Sequence, residues 1–331
     1  MEQKGKLYYP TIDALRVLAI LAVVLIHAAT KPLEIAHYDL LHAFWPLFWH
    51  QITRFAVPLF FFISGFLLEL TYKGDYRQYL QKRLSRIFLP YLTWSAIYYY
   101  FVYPWHSESF LNALINGTAS YQFYFIPAIL LFYLLFPVFH RPYFWLAKPV
   151  ILLLLGAGEL ILLYLDYYSH SVTVFYPLAV ALFNLFHFIS GMVISHCQAQ
   201  FVNLVKKFRW LLAIASVVLG SWVFLSGRNL YLATGNYLFF YSNWRPQALL
   251  YTFSLVPLLY YWLTVSKIPI SIIKTLSGLS FFVFFIHVIV LEFFWQNLTH
   301  NLAILYFATT ACSFALAWLV HKIPYLSRLT G

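Results

Sequence analysis

Apolar runs of about 20 residues recur along the whole chain, and short polar connections separate them. A helix of that length spans a hydrocarbon core of roughly 30 Å. The pattern therefore predicts about ten transmembrane helices, at 12–31, 45–70, 87–104, 122–139, 149–167, 174–196, 209–227, 246–265, 277–297 and 302–320. The first run is longer than the apolar core of a signal peptide, and no small-residue cleavage site followed by a soluble chain comes after it, so it reads as a retained span. No soluble domain or long linker is left over. The chain reads as a single all-α polytopic membrane domain over 1–331.

Charge adds an orientation. When the spans are laid out alternately, the 21 Lys and Arg residues fall on one face, all but Lys31, Arg54, Arg228 and Arg245. By the positive-inside rule that face is cytoplasmic, which puts both termini inside and makes the number of spans even. The net charge of +11 then reflects topology and contact with anionic lipid headgroups. It does not point to nucleic acid. Composition agrees, since 63% hydrophobic and 9% charged residues with a mean hydropathy of +0.76 exclude a water-soluble globule. Cys197 and Cys312 make no disulfide framework, and the histidines show no metal-ligand spacing, so no metal is expected.

Against this background the polar residues inside the apolar runs stand out, because an ionisable group in lipid is costly and marks a functional site by default. Arg16 and His27 lie eleven residues apart in the first run. Eleven steps of roughly 100° end about 20° past three full turns, so the two share one helix face, about 16 Å apart along the axis. His27 suits proton transfer near neutral pH, and Arg16 suits bidentate contact with phosphate or carboxylate. An equally simple reading has Arg16 snorkelling and pairing with Asp13 while His27 packs between helices. Arg54 sits too deep in the second run to snorkel. It either holds a polar part of a substrate or pairs with Glu159. Glu159, His187, His287 and Glu292 are further candidates for lining a cavity, with His287 ranked above His187. Glu69 is positioned to pair with Lys73 at i+4.

Several segments resemble the acyltransferase 3 family of integral-membrane acyltransferases. They are Ile12-Asp-Ala-Leu-Arg16 through His27, which matches the family's Arg-x10-His signature; Ala56-Val-Pro-Leu-Phe-Phe-Phe-Ile-Ser-Gly-Phe66; and Lys82-Arg-Leu-Ser-Arg-Ile-Phe-Leu-Pro-Tyr91. Weaker matches are Phe123-Tyr-Phe-Ile-Pro127 and Leu279-Ser-Phe-Phe-Val-Phe-Phe-Ile-His287. Where the family often carries His and Trp, this chain has Gln122 and Tyr124.

The resemblance implies transfer of an acyl group, often acetyl, from cytoplasmic acyl-CoA to a hydroxyl of a cell-envelope glycan or lipid-linked sugar, at the plasma membrane of a bacterium. It implies no permanently bound cofactor. Some relatives carry an extra extracytoplasmic hydrolase-like domain; its absence here implies that the protein acts alone or hands the group to a partner. Coenzyme A is a cluster of phosphates at one end of a slender arm with its thioester at the other, so its site needs cations at a mouth and a narrow channel behind. Arg16, Arg83 and Arg86 supply such a mouth, and His27 is the expected base or covalent relay. Arg54, His287 and Glu159 are the expected substrate contacts. Ser64, beside Gly65, is a candidate oxyanion donor. Residues 226–246, with Arg228, Asn243 and Arg245, read as the longest outward loop. Two other classes compete: a transporter or flippase of lipid-linked sugars with a buried proton relay, and a membrane assembly subunit whose buried charges join partners.

Overall fold

The computed structural model describes residues 9–35, 40–105, 107–169, 174–234 and 244–323, and of Leu40 and Leu41 the backbone alone. Among them every regular element is helical. Helix α1 (Pro10–Ile35) opens with Pro at its first position, where the missing N–H has no partner to lose, and carries Asp13 in its first turn. Next come α2 (Leu40–Ile52), a single 3-10 turn and α3 (Ala56–Thr71), which run as one apolar stretch over His42–Thr71. Helix α4 (Tyr76–Ile97) is capped by Asp75, whose carboxylate accepts from the Gln78 amide at 3.0 Å. It ends in a π turn, Tyr98–Val102, which presents the Tyr98 hydroxyl as a donor to the Phe285 carbonyl at 2.7 Å.

Short α5 (Phe110–Asn116), α6 (Phe125–His140) and α7 (Tyr143–Leu146) precede α8 (Pro149–Ser169). Helices α9 (Tyr176–Leu182) and α10 (Leu185–His196) form a pair bent by 49°. The chain then runs through α11 (Gln198–Thr234), α12 (Pro246–Val265), α13 (Ile270–Asn297) and α14 (Leu302–His321).

Helix α1 is the hub, packed against α2, α3, α12, α13 and α14. Its buried stripe is rich in alanine (Ala14, Ala19, Ala22, Ala28, Ala29), and small side chains let several helices approach one axis without a driving force from water. Helices α3 and α10 approach most closely. A Cβ on Gly65 would lie 2.0 Å from the Phe188 carbonyl oxygen, and one on Gly191 would lie 2.0 Å from that of Phe62. Gly65 of the Ser-Gly pair is thus a packing residue, which leaves Ser64 on a different side of α3.

The outer helices carry the opposite surface. Leu153 of α8, Val217 of α11 and Phe307 of α14 are 72%, 70% and 67% exposed, together with many apolar neighbours. A continuous apolar coat of this kind is stable against hydrocarbon and not against water, so the chain is a multi-pass membrane protein.

Among the described residues seven helices are long and apolar enough to cross a membrane, or eight when the bent α9–α10 pair counts as one. Two of the ten predicted spans fall short of that test. The run at 87–104 is the second half of α4 plus the π turn, in a helix whose first half carries Arg77, Lys82, Arg83 and Arg86. The run at 122–139 becomes α6, only 16 residues long, because residues 121–124 are spent in a turn.

Candidate active site

Among the described residues two cavities along α1 hold the side chains of Arg16 and His27 and are labelled inner and outer in that order, while a third, about 750 Å³, beside Leu25, Pro32 and Ile35 holds neither. The inner one, about 320 Å³, is lined by Arg16 of α1, Arg83 and Arg86 of α4, Ser64 of α3 and apolar residues of α3, α6 and α13. Because α4 begins at Tyr76, Arg83 and Arg86 lie inside a helix and share a face. Arg16 Nη1 donates to Ser277 Oγ at 3.0 Å and to Asp13 Oδ1 at 3.4 Å, and Ser277 Oγ donates to Asp13 Oδ1 at 2.6 Å. The pairing with Asp13 is therefore present but long, with Ser277 as the closer partner of both. Arg83 donates through Nη2 to Thr71 Oγ1. Three guanidinium groups thus face one cavity whose far wall is apolar.

The outer cavity, about 380 Å³, is lined by His27, Thr30 and Glu34 of α1, His50 and Arg54 from the α2–α3 region, and Tyr121 and Gln122 from the turn before α6. His27 is half-buried. Its ring lies 4.8 Å from that of Tyr121 and 5.3 Å from that of His287, between centroids. His287 is fully buried, with Nδ1 2.9 Å from the Val283 carbonyl. A carbonyl accepts only, so Nδ1 carries the proton and Nε2 is left as an acceptor. Arg54, 1% exposed, donates through Nε to Gln51 Oε1 at 3.1 Å, with its Nη2 3.5 Å from His50 Nδ1. Just beyond the cavity Lys31 joins Glu292 of α13 at 2.5 Å and Glu34 at 3.4 Å, which ties the outer ends of α1 and α13.

The structure brings Arg16, Arg83 and Arg86 together on one cavity and His27 and Arg54 together at the other; His287, expected as a substrate contact, is fully buried behind the His27 ring and does not line the cavity. Glu159 does not join them. Its carboxylate accepts the Phe186 amide at 2.7 Å and lies 3.5 Å from His187 Nδ1, where the bend between α9 and α10 exposes unpaired N–H groups that attract an anion. Three further expectations change. Glu69 pairs with His140 (3.0 Å) and His196 (2.9 Å) in place of Lys73, because α6 and α10 end beside it. The supposed loop 226–246 is helical to Thr234, and Asn243 lies outside the described residues. Arg245 is fully buried and donates to Gln51 Oε1 and the Val223 carbonyl, so it ties α2, α11 and α12 together.

The sequence did not single out His50, Glu34 or Tyr121, and Gln122 stood out only as a departure from the family pattern. For two of them a signal was present: His50 is four residues before Arg54, and Glu34 is seven after His27, spacings that share a helix face. Tyr121 and Gln122 sit in a turn, where helical spacing says nothing. Among the described residues no group of three or more His, Cys, Asp or Glu has metal-binding geometry.

A family model described as an acyltransferase domain matches residues 9–322. A probable poly-beta-1,6-N-acetyl-D-glucosamine export protein of Staphylococcus epidermidis is 25% identical over 283 residues, covering 78% of this chain and 74% of the relative. The protein of the same description from Staphylococcus aureus is 25% identical over 261 residues, 73% and 70% of the two chains. A putative membrane-bound acyltransferase of Bacillus subtilis is 26% identical over 303 residues, 82% and 78%. No solved structure matches the chain.

Proposed function

The chain belongs to the acyltransferase 3 family, and from that premise we propose that it moves an acyl group, acetyl by preference, from cytoplasmic acyl-CoA to a hydroxyl of a cell-envelope glycan or lipid-linked sugar. In the proposed topology ten spans cross the plasma membrane with both termini in the cytoplasm. Helix α4 with its π turn, the short α6 and the bent α9–α10 pair complete the count. The arginine cavity then opens to the cytoplasm and the His27 cavity to the outside.

One observation carries this reading. Arg16 and His27 lie on one stripe of α1, and each faces its own cavity, the first ringed by three guanidinium groups and the second lined by imidazole, phenol and amide. The phosphates of coenzyme A sit against Arg16, Arg83 and Arg86, and the pantetheine arm carries the thioester along the apolar wall toward His27. The acceptor hydroxyl gives its proton to the His27 imidazole as its oxygen attacks the thioester carbonyl. The carbon–sulfur bond then breaks, an ester remains, and the thiolate of coenzyme A leaves and takes up a proton. In the relay variant a His27 nitrogen attacks first and releases coenzyme A, and the hydroxyl then attacks the acyl-imidazole. Arg54, Tyr121 and Gln122 position the acceptor, and His287 backs the His27 ring; Ser64 lines the Arg16 cavity alone, away from His27, and is not placed to meet the oxyanion that develops there.

A second reading is export of the glycan or lipid-linked sugar with the buried Arg, His and Glu side chains as a proton relay. The description of the staphylococcal relatives favours it. Release of free coenzyme A from acetyl-CoA by the purified protein in lipid, with an envelope-glycan extract as acceptor, separates the two. Transfer gives acceptor-dependent release that is lost in His27→Ala and Arg16→Ala while both variants stay folded. Export gives glycan movement and no release from acetyl-, succinyl- or longer donors. With donor saturating and neutral His27 as the base, turnover falls as the medium is acidified through the pKa of that imidazole in the complex; a profile that stays flat across the titration of the ring removes His27 from that role.

A further inference from the structure

The two cavities share three lining side chains among the described residues, and all three are phenylalanines: Phe60, Phe125 and Phe284. They come from three separate helices, α3, the first turn of α6, and α13. The Phe125 ring lies 5.8 Å from that of Phe60 and 6.1 Å from that of Phe284, so the rings form a run of tilted contacts between the cavities. Each flanks both sites. Phe60 stands one turn before Ser64 on the inner side and three residues after Val57 on the outer side. Phe284 stands three residues before His287, with ring centroids 6.3 Å apart, and His287 contacts His27. A group that parts these rings therefore emerges beside the His27–His287 pair.

We propose that Phe60, Phe125 and Phe284 form an acyl gate that limits the donor to short, uncharged acyl groups and seals the inner cavity from the outer one between turnovers. The inference rests on the acyl-transfer reading above. A gap bounded by three rings has no polar atom to replace the hydration of a carboxylate, so a succinyl group is rejected by uncompensated desolvation. Longer alkyl groups are rejected by volume, because Phe125 closes against both Phe60 and Phe284, and the helix that carries Phe60 is held by backbone contact with α10 at Gly65 and Gly191 and can move aside little. A pocket that discriminates by size yields roughly tenfold or more per methylene.

The test is a donor series in lipid, acetyl-, butyryl-, octanoyl- and succinyl-CoA, for the wild type, Phe60→Ala and Phe284→Ala, read as coenzyme A release. The expected wild-type order falls steeply from acetyl to octanoyl with succinyl lowest, and each alanine variant raises the butyryl-to-acetyl ratio roughly tenfold. Octanoyl- or succinyl-CoA turned over as fast as acetyl-CoA by the wild type, or ratios unchanged in both variants, overturns the gate. A second readout needs no turnover. In a Cys197→Ser/Cys312→Ser background, the thiol of Val57→Cys is labelled with a membrane-impermeant sulfonated thiol reagent added on the Arg83 face. Labelling is slow behind the intact rings and at least tenfold faster in Phe60→Ala/Phe284→Ala; equal rates overturn the seal. No release from any donor, with labelling still accelerated, overturns acyl transfer and leaves the seal standing.

Discussion

The inner and outer cavities are lined from the same helix, yet they hold their polar groups in different ways. Inside, Arg16 keeps about a quarter of its side chain exposed (28%) and shares Asp13 with Ser277, while Arg86 is exposed at the mouth. Outside, Arg54 and His287 are fully enclosed and hydrogen-bonded to Gln51 and the Val283 carbonyl. A polyanion that arrives and leaves on every turnover needs cations that stay solvated and lose little when empty. A proton transfer needs a ring held in one orientation and one tautomer. On the proposed reading, the difference divides the binding and chemical steps between the two ends of one stripe.

If that division is right, the largest effect belongs to His27. His27→Ala at saturating donor is expected to lower turnover by about 10²- to 10⁴-fold with little change in the KM for acyl-CoA, measured as coenzyme A release. A large rise in donor KM with turnover preserved would place His27 among the binding groups and break the comparison. Arg16→Ala should show the reverse pattern. Losing one charge-assisted hydrogen bond to phosphate is worth about 1.5–3 kcal/mol, a rise in donor KM of roughly tenfold to over a hundredfold, with acceptor KM unmoved. Arg16→Lys should recover only part of it, because a point charge lacks the planar fork.

The division itself was legible in the sequence only in part. The spacing of Arg16 and His27 sufficed to put them on one face at two depths, since a helix is regular and the apolar run around them leaves no other element to form. Arg83 and Arg86 followed from the same rule. What could not be read was which helices meet. Glu159 and Arg54 both looked like buried charges in search of partners, but Glu159 answers the broken α9–α10 junction, and the only local sign of that break in the run Phe183-Asn-Leu-Phe186 is Asn184, the N-cap of α10, which says nothing of the partner. The phenylalanines at 60, 125 and 284 were equally silent, because an aromatic in an apolar run is ordinary until three helices bring three of them together. The seven or eight spans that meet length and apolarity show the same limit: α6 is short because its N-terminal residues turn to place Tyr121 and Gln122 at the outer cavity.

Two stability variants sharpen the comparison further. Gly65→Ala puts a methyl group where the Phe188 carbonyl already sits, and the overpacking should cost about 1–3 kcal/mol, seen as a lower melting temperature in detergent. Helix α3 lines both cavities, through Ser64 on one side and Arg54's neighbour Val57 on the other. Both donor and acceptor KM should therefore worsen together. A change confined to one of them would mean that the walls of the two cavities relax independently.

The smallest effect is expected at Glu69, and it should be one-sided. Its buried carboxylate joins the ends of three helices on the side of the inner cavity: α3, α6 through His140 and α10 through His196. Leu68, one residue before it, and Tyr133, two turns before His140, line the inner cavity, whereas neither lines the outer one. Glu69→Gln keeps the shape and leaves one of the two imidazole contacts weakened, a loss of about 1–2 kcal/mol at most. Thermal stability should fall slightly and donor KM should rise a few-fold, with turnover and acceptor KM unchanged. An acceptor KM that moves as much as the donor KM would show that the inner end is not an independent unit. The separation of binding from chemistry would then have to be sought in the side chains alone, not in how the helices are tied.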